Sequence, residues 1–344
     1  MNEMMAREIA AQAEILPDCV EPLAQRIASI APPKGRILAG GCGDSVFAPA
    51  ALGKVFGALG LEVTARTSMA LAGFTRTEPG DTVILSSISG GTRRTLDAAV
   101  VARAQGARLI ALTCKDGSPL ANAADDTIIL PFSPLSRKTP HTLDYSVTLL
   151  ALTMLVLAWS GRQASEISPV LDVIPRLIDR ARHKVAGIAA QMTATGKLFI
   201  LGAGPELGSA EYGAAKFHEA GGIVAIAAET ENFVHGMNFM VEPDDTILAL
   251  AGNAPGLHRG REVIGQFRDF VACAALIEPG LIEADAFTGR DYIRAFADLL
   301  SVTFVLQHLC LAFADRQGLA LEQPRAGRAY GDAHLAIQSK IMAT

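Results

Sequence analysis

The chain runs to 344 residues, enough for two domains of roughly 150 residues that each bury a core. Half of it is hydrophobic, 19% is charged and glycine is frequent, the composition of a buried-sheet α/β protein and not of a disordered or fibrous one. A net charge of −5, with basic runs no longer than Arg93-Arg94, argues against nucleic acid as a partner.

Residues 1–33 read as a helical lead-in that ends at Pro32-Pro33. Acidic residues stand among residues 1–13 where a signal peptide would be apolar, and the most apolar stretch, 147–159, falls short of the ~20 residues a membrane span needs. The expectation is a cytoplasmic protein without a membrane partner. Arg36-Ile37-Leu38-Ala39 then runs into Gly40-Gly41-Cys42-Gly43, a strand and a tight glycine turn, followed by an amphipathic stretch through Phe56 to Gly60.

Further apolar strands at 82–85 and 108–112 flank the loop Ser86-Ser87-Ile88-Ser89-Gly90-Gly91-Thr92, which opens a helix over about 92–105. Glycines let a backbone curl so that several N–H groups converge, hydroxyls of Ser87, Ser89 and Thr92 add donors, and a helix start adds partial positive charge. That pattern predicts a phosphate site. Arg93 and Arg94 in the first turn oppose the helix dipole unless solvent or a bound anion compensates them. The competing reading, that the hydroxyls cap the helix, accounts for one of them and not for three.

A helix over 146–159 is apolar nearly all round and therefore buried, and 162–175 reads as a linker. Beyond it the pattern repeats. Lys197-Leu198-Phe199-Ile200-Leu201-Gly202-Ala203-Gly204 answers the first strand and turn, with Gly202 and Gly204 at the places of Gly41 and Gly43, and Phe217 and Gly221 at those of Phe56 and Gly60. Strands at 246–248 and 273–277 answer those at 82–85 and 108–112, and a second buried helix covers 298–314. Apolar strands alternating with helices predict two doubly wound parallel sheets in tandem, flavodoxin-like, one in 34–162 and one in 176–322, with the tail 323–344 closing over the site. The second copy of the phosphate loop, Leu250-Ala251-Gly252-Asn253-Ala254, lacks the hydroxyls, so one anion site per chain is expected, in the first half.

No cofactor is expected. Neither Gly-x-Gly turn is a full dinucleotide fingerprint, since Val46 stands where the first needs its third glycine and the second delays it to Gly208; no Gly-Lys-Ser/Thr loop is present. Five scattered cysteines give no zinc spacing or disulfide framework and read as small buried hydrophobes, with Cys42, in its glycine turn, open to either a packing or a reactive role.

With repeat and serine loop together, the chain resembles the sugar isomerase (SIS) domain family. The likeness is to its tandem members, similar to the isomerase domain of glucosamine-6-phosphate synthase and to amino-sugar phosphate deaminases and deglycases. The family's Cys-Gly-Thr-Ser turn and Ser-x-Ser-Gly-x-Thr loop stand here as Cys42-Gly43-Asp44-Ser45 and Ser87 to Thr92, implying that Cys42, Gly43, Ser45, Ser87, Ser89, Gly90 and Thr92 bind sugar and phosphate. Lys216-Phe217-His218-Glu219 is similar to the family's Lys-x-Lys-Glu and Val234-His235-Gly236 to its Lys-His-Gly-Pro. The resemblance implies that Glu219 is the catalytic base moving a proton between C1 and C2, and that His235, from a neighbouring subunit of a homodimer with shared sites, helps open the ring.

Arg137-Lys138-Thr139 loosely matches a small-Thr-Lys-Thr segment, adding Lys138 to the binding set. Gln323-Pro324-Arg325 matches a C-terminal Gln-Pro-Arg-Asn-Leu-x-Lys, adding Arg325 and Arg328, with Ala329 where that motif has lysine. The 344 residues hold no segment expected to act as a glutaminase half, and ammonia from glutamine is not expected. The remaining histidines read as structural or surface groups, His141 the least secure of them because it sits in the loop 133–142. Proton removal next to a carbonyl suits a carboxylate raised toward neutrality by desolvation, and ring opening suits an imidazole. The expected function is a phosphosugar isomerase-type enzyme, performing aldose–ketose isomerisation, deamination or deglycation of a sugar or amino-sugar 6-phosphate through an enediol or enolamine. The alternatives are a non-catalytic sugar-phosphate regulator and, more remotely, a nicotinamide-dependent dehydrogenase.

Overall fold

The computed structural model describes residues 2–136, 140–279, 287, 289–325 and 328–343. In chain order, α1 (Glu3–Ile27) leads to β1 (Ile37–Gly41), α2 (Asp44–Ala51), α3 (Gly53–Ala58), β2 (Val63–Thr67), α4 (Ser68–Gly73), β3 (Thr82–Ser86), α5 (Arg93–Ala104), β4 (Arg108–Thr113), α6 (Pro119–Ala123), β5 (Asp126–Ile129) and α7 (Leu143–Trp159). There follow α8 (Ser168–Leu171), α9 (Ile174–Gln191), β6 (Lys197–Gly202), α10 (Glu206–Ala220), β7 (Val224–Glu229), α11 (Thr230–Val234), β8 (Thr246–Leu250), α12 (Ala254–Phe267), β9 (Cys273–Ile277), α13 (Asp291–Arg316) and α14 (Gly331–Ala343).

The strands form two parallel sheets, ordered β2-β1-β3-β4-β5 and β7-β6-β8-β9. The expected doubly wound α/β architecture is therefore present twice, and the two sheets share the order of their first four strands. β1, β3 and β8 are buried along their whole length, as continuous apolar runs covered on both faces must be. β2 reads Val-Thr-Ala-Arg-Thr and lies partly exposed at an edge, which is why no apolar run announces it. In each sheet the chain reverses direction of winding between the first strand and its inner neighbour, so the turns after β1 and β3, and those after β6 and β8, open into crevices at the strands' C-terminal ends.

Helices join the halves. α1 buries the stripe Met5, Ile9, Leu16, Cys19, Leu23 and Ile27 against α7 and α9. Its Gln12 Nε2 donates to Gln307 Oε1 of α13 at 2.8 Å, and Asn2 bonds to Asp315 and to the backbone N–H of Leu321. The stretch 162–175, expected as a linker, is instead a pair of short helical turns and the start of α9, with Ile167, Val170 and Ile174 buried; apolar residues at helical spacing in a nominal linker are core. α13 is long and apolar enough to cross a membrane by length and composition, and 94% of its apolar window is buried inside the protein.

α10 lies against α2 through Gly208, where a Cβ would come within 2.5 Å of the Ala51 backbone nitrogen and 2.8 Å of the Ala50 carbonyl carbon. Only a residue without a side chain lets these helices approach so closely. Gly208→Val is expected to destabilise the chain by about 1–3 kcal/mol through overpacking, read as a lower urea midpoint; an unchanged midpoint would show that the helices can move apart freely.

Candidate active site

The crevice of the first half is a cleft of about 630 Å³. Its floor is the turn Cys42-Gly43-Asp44-Ser45 after β1, and one wall is the loop 86–92 after β3. Gly43 takes a positive φ of 56°, which starts α2 immediately beyond the strand. Gly90, at φ 63°, sits so close over Ser118 that a Cβ would fall 2.1 Å from its hydroxyl. Both glycines are required by the backbone path.

Thr92 is the N-cap of α5, yet its side chain makes no cap hydrogen bond; its hydroxyl lies 2.9 Å from the Ser87 hydroxyl instead. Ser89 Oγ accepts from the Gly91 N–H at 3.2 Å. Thr92 therefore does not cap α5 with its side chain: its hydroxyl and that of Ser87 face one another across the loop, while Ser89 accepts within the loop. Arg93 and Arg94 do not support the anion argument: their side chains are 69% and 52% exposed and pair with Asp97, so water and a carboxylate compensate them.

α10 brings Glu219 to the same cleft, as the last residue but one of a helix whose beginning lies in the other half's crevice. Beneath it Lys216 has no solvent exposure. Its Nζ donates to Asp44 Oδ2 at 2.8 Å, to Glu219 Oε1 at 3.1 Å and to the His141 carbonyl at 3.1 Å, and lies 5.1 Å from the centre of the Tyr212 ring. Burial pulls the Lys216 pKa down, but the two carboxylates outweigh it and hold it above its ordinary value. For Glu219, burial pushes the carboxyl up, Lys216 pulls it back, Asp44 pushes up again, and the net is upward. Its side chain is 41% exposed, so solvent reaches the carboxylate from the cleft.

Asp44 and Lys216 lie inside motifs that give them no such role in the sequence alone, and His141 reads there as a structural or surface group. The His141 ring lines the cleft with its Nδ1 3.3 Å from Asp144 Oδ2. Its loop is held by Glu8 of α1, whose buried carboxylate accepts from the Ser136 N–H and from the Thr142 hydroxyl, each at 3.1 Å. A glutamate on the apolar stripe of α1 was the available signal. Tyr145, stacked on Tyr212 with ring centres 3.7 Å apart, and Gln338 and Met342 of α14 complete the cleft.

Cys42, Gly43, Ser45, Ser87, Ser89, Thr92 and Glu219 are therefore brought together, with Gly90 in the loop behind them. His235 is not: it is 80% exposed at the end of α11, 3.6 Å from Glu231, and lines no part of this cleft. Arg325 and Arg328 do not line it either, and Lys138 lies outside the described residues. Cys19, Cys273 and Cys310 are buried as expected, Cys114 is half-buried, and Cys42 is exposed, because its turn faces the cleft and not the core.

The equivalent crevice of the second half holds a separate cavity of about 410 Å³. Glu206, first residue of α10, projects into the loop after β8. Burial pushes its carboxyl up to about 7, against the opposing pull of the Gly252, Ala203 and Asn253 backbone N–H groups and of Lys54.

A family model described as SIS domain matches residues 30–158 and 191–257, more than half of the chain, and the chain belongs to the SIS domain family. It is 28% identical to the isomerizing glutamine–fructose-6-phosphate aminotransferase of Aeropyrum pernix over 352 aligned positions, covering 93% of this chain and 56% of that protein. The chain thus spans about half the length of the curated relatives it matches. Among solved structures, glucosamine-6-phosphate deaminase from Thermotoga maritima superposes with a TM-score of 0.75 at 18% identity, covering 94% of this chain and 98% of that one. The C-terminal domain of glucosamine-fructose-6-phosphate aminotransferase from Francisella tularensis gives 0.73 at 17%, covering 93% and 98%. At such identities the structural likeness establishes the fold.

A carboxyl whose folded pKa is raised above its unfolded value stabilises the fold less once it ionises. For Glu206 the stability present below pH 4.5 is lost as pH rises to about 7. Glu206→Gln should therefore gain on the wild type by roughly 2–3 kcal/mol between pH 5 and pH 8, at 1.36 kcal/mol per pKa unit. Parallel urea titrations of the two proteins at both pH values check this; a constant difference would place the Glu206 carboxylate in water.

Proposed function

We propose that the chain is an enzyme acting on a sugar or amino-sugar 6-phosphate, with the phosphate in the loop of Ser87, Ser89 and Thr92 and the C1–C2 end of the open-chain sugar at Glu219. The observation that carries this is the meeting of a hydroxyl-lined loop at a helix start with a raised carboxyl group in one cleft. The Glu219 carboxylate takes a proton from the carbon next to the carbonyl or imine, and the electron pair moves onto the heteroatom; a proton passes to that heteroatom from the hydroxyl or amino group on the deprotonated carbon, and Glu219 returns its own proton to the neighbouring carbon, closing the enediol or enolamine to the product. Isomerisation ends there. Deamination or deglycation continues by loss of the nitrogen substituent to water. The names of the relatives, which pair fructose 6-phosphate or glucosamine 6-phosphate with isomerising or deaminating activity, support the substrate class.

Lys216 is a positioning residue in this reading: it fixes the carboxylate against Asp44 and keeps it ionised at a lower pH than burial alone would allow. Within the chain the cleft's imidazole is His141, whereas His235 can assist ring opening only in a second copy, so a homodimer with shared sites belongs to the proposal.

The test is turnover and binding of glucosamine 6-phosphate and fructose 6-phosphate by wild type, Glu219→Gln and Lys216→Met. Glu219→Gln should retain binding and lose about 10²–10⁴-fold in turnover. Activity should fall as pH drops through the Glu219 pKa, above 4.5, and Lys216→Met should move that limb to higher pH, since the ammonium lowers it. Binding without turnover in the wild type, across phosphorylated hexoses and amino sugars, would instead favour a regulator.

A further inference from the structure

At one register position the two crevices carry side chains of different length and charge. Gly41 and Gly43 correspond to Gly202 and Gly204, so Ser45 corresponds to Glu206. The loop after β3 corresponds to that after β8, because β3 and β8 flank β1 and β6 in the same way. In the first half Ser45 is short and the loop 86–92 is left open to the cleft. In the second half the longer Glu206 side chain reaches the facing loop. A Cβ on Gly252 would come within 2.5 Å of Glu206 Oε1, and a Cβ on Gly256 within 2.7 Å of Oε2, so the carboxylate lies directly against a glycine-lined backbone at the start of α12. Asn253 caps that helix by accepting from the Gly256 N–H at 2.7 Å. Oε2 is buried and has no hydrogen-bond partner of its own.

The rest of the cavity is largely apolar, with Ala51, Ala203, Pro255, Leu299 and Val302 in its wall. Lys54 donates to the Gly252 carbonyl at 2.8 Å and lies 3.8 Å from Asp298, which Arg294 also holds at 2.9 Å. The Lys54 ammonium is thus engaged by a carbonyl and a carboxylate, and Glu206 is the charged group that lies against the loop itself.

We propose that the loop after β8 is a second anion site filled by the chain's own Glu206, and that the 410 Å³ cavity in front of it is a ligand site for compact, uncharged, largely apolar molecules from which phosphorylated ones are excluded. The carboxylate stands where a bound phosphate would stand in such a loop, facing the backbone N–H groups of Gly252, Ala203 and Asn253 and the positive end of a helix, although burial outweighs their pull. A ligand phosphate brought to the same place meets the Glu206 side chain, which is negatively charged above about pH 7. A neutral ring meets only apolar walls and fills them.

Cyclohexanol and cyclohexyl phosphate share a ring and differ in charge, and titration of each at pH 8, followed by ligand-observed NMR, tests the assignment. The wild type should bind cyclohexanol saturably and Val302→Phe should not, while cyclohexyl phosphate should show no contact with this cavity. Glu206→Ser should gain a cyclohexyl phosphate site absent from the wild type, with affinity improved at least about tenfold. The double variant Glu206→Ser with Asn253→Asp keeps a helix cap and restores a negative charge, and should lose that site again. The Glu206→Ser and Val302→Phe comparisons are between variants that share the first cleft, so they stand whether or not that cleft takes a sugar phosphate. Equal binding of cyclohexyl phosphate by wild type and Glu206→Ser would overturn the proposal, as would a wild type that gives no saturable signal with cyclohexanol. Should Glu206→Ser fail to fold, loss of cyclohexanol binding in Val302→Phe, with any cyclohexyl phosphate signal unchanged by that substitution, supports the proposal, and a cyclohexyl phosphate signal that Val302→Phe abolishes overturns it.

Discussion

A lysine ammonium cut off from water must be met by opposite charge, and in this chain Lys216 is met by two carboxylates from different halves, Asp44 at the start of α2 and Glu219 near the end of α10. That triad ties the glycine turn after β1 to the helix that carries the proposed base. Removing the ammonium would leave two carboxylates facing each other, so the arrangement persists only while α2 and α10 stay packed together. The close approach at Gly208 makes that packing possible. The cleft is thus a consequence of how the two sheets dock and not of either sheet alone.

α2 and α10 each run from one crevice to the other. Asp44 and Ser45 open α2 in the first cleft while Ala51 closes it beside the second cavity; Glu206 opens α10 in the second cavity while Glu219 lies near its end in the first cleft. Thirteen residues of helix separate the two glutamates, about 20 Å at 1.5 Å per residue. On the two proposals made above, supersecondary units of like topology carry different chemistries: a short serine leaves a loop open to an anion on one side, and a long glutamate occupies its counterpart on the other.

Much of the fold was legible because its signals are local. Continuous apolar strands followed by Gly-x-Gly turns gave both sheets, and the hydroxyl-rich loop stood out beside its hydroxyl-poor counterpart. What stayed illegible depends on distant contacts. Asp44 reads as an ordinary helix-start acid until Lys216, 172 positions later, is placed against it. Glu206 reads as a surface charge until the loop after β8 is brought to face it. Residues 162–175 carry polar and proline residues that suggest a linker, but their apolar members fall at helical spacing and pack into the core. Arg93 and Arg94 misled in the other direction, since Asp97, one turn on, compensates them locally. His235 was singled out by its motif, but in one chain it stands exposed at the end of α11, away from the cleft.

The central claim is that one phosphorylated sugar spans the cleft from the hydroxyl loop to Glu219. A crystal structure of the Glu219→Gln variant soaked with glucosamine 6-phosphate tests it most directly. The account predicts phosphate oxygens within hydrogen-bond distance of Ser87, Ser89 and Thr92, and the C1–C2 end of the sugar against residue 219. A phosphate lodged at Arg325 or Arg328 with the loop empty, or a sugar whose C1 and C2 point away from residue 219, would contradict it.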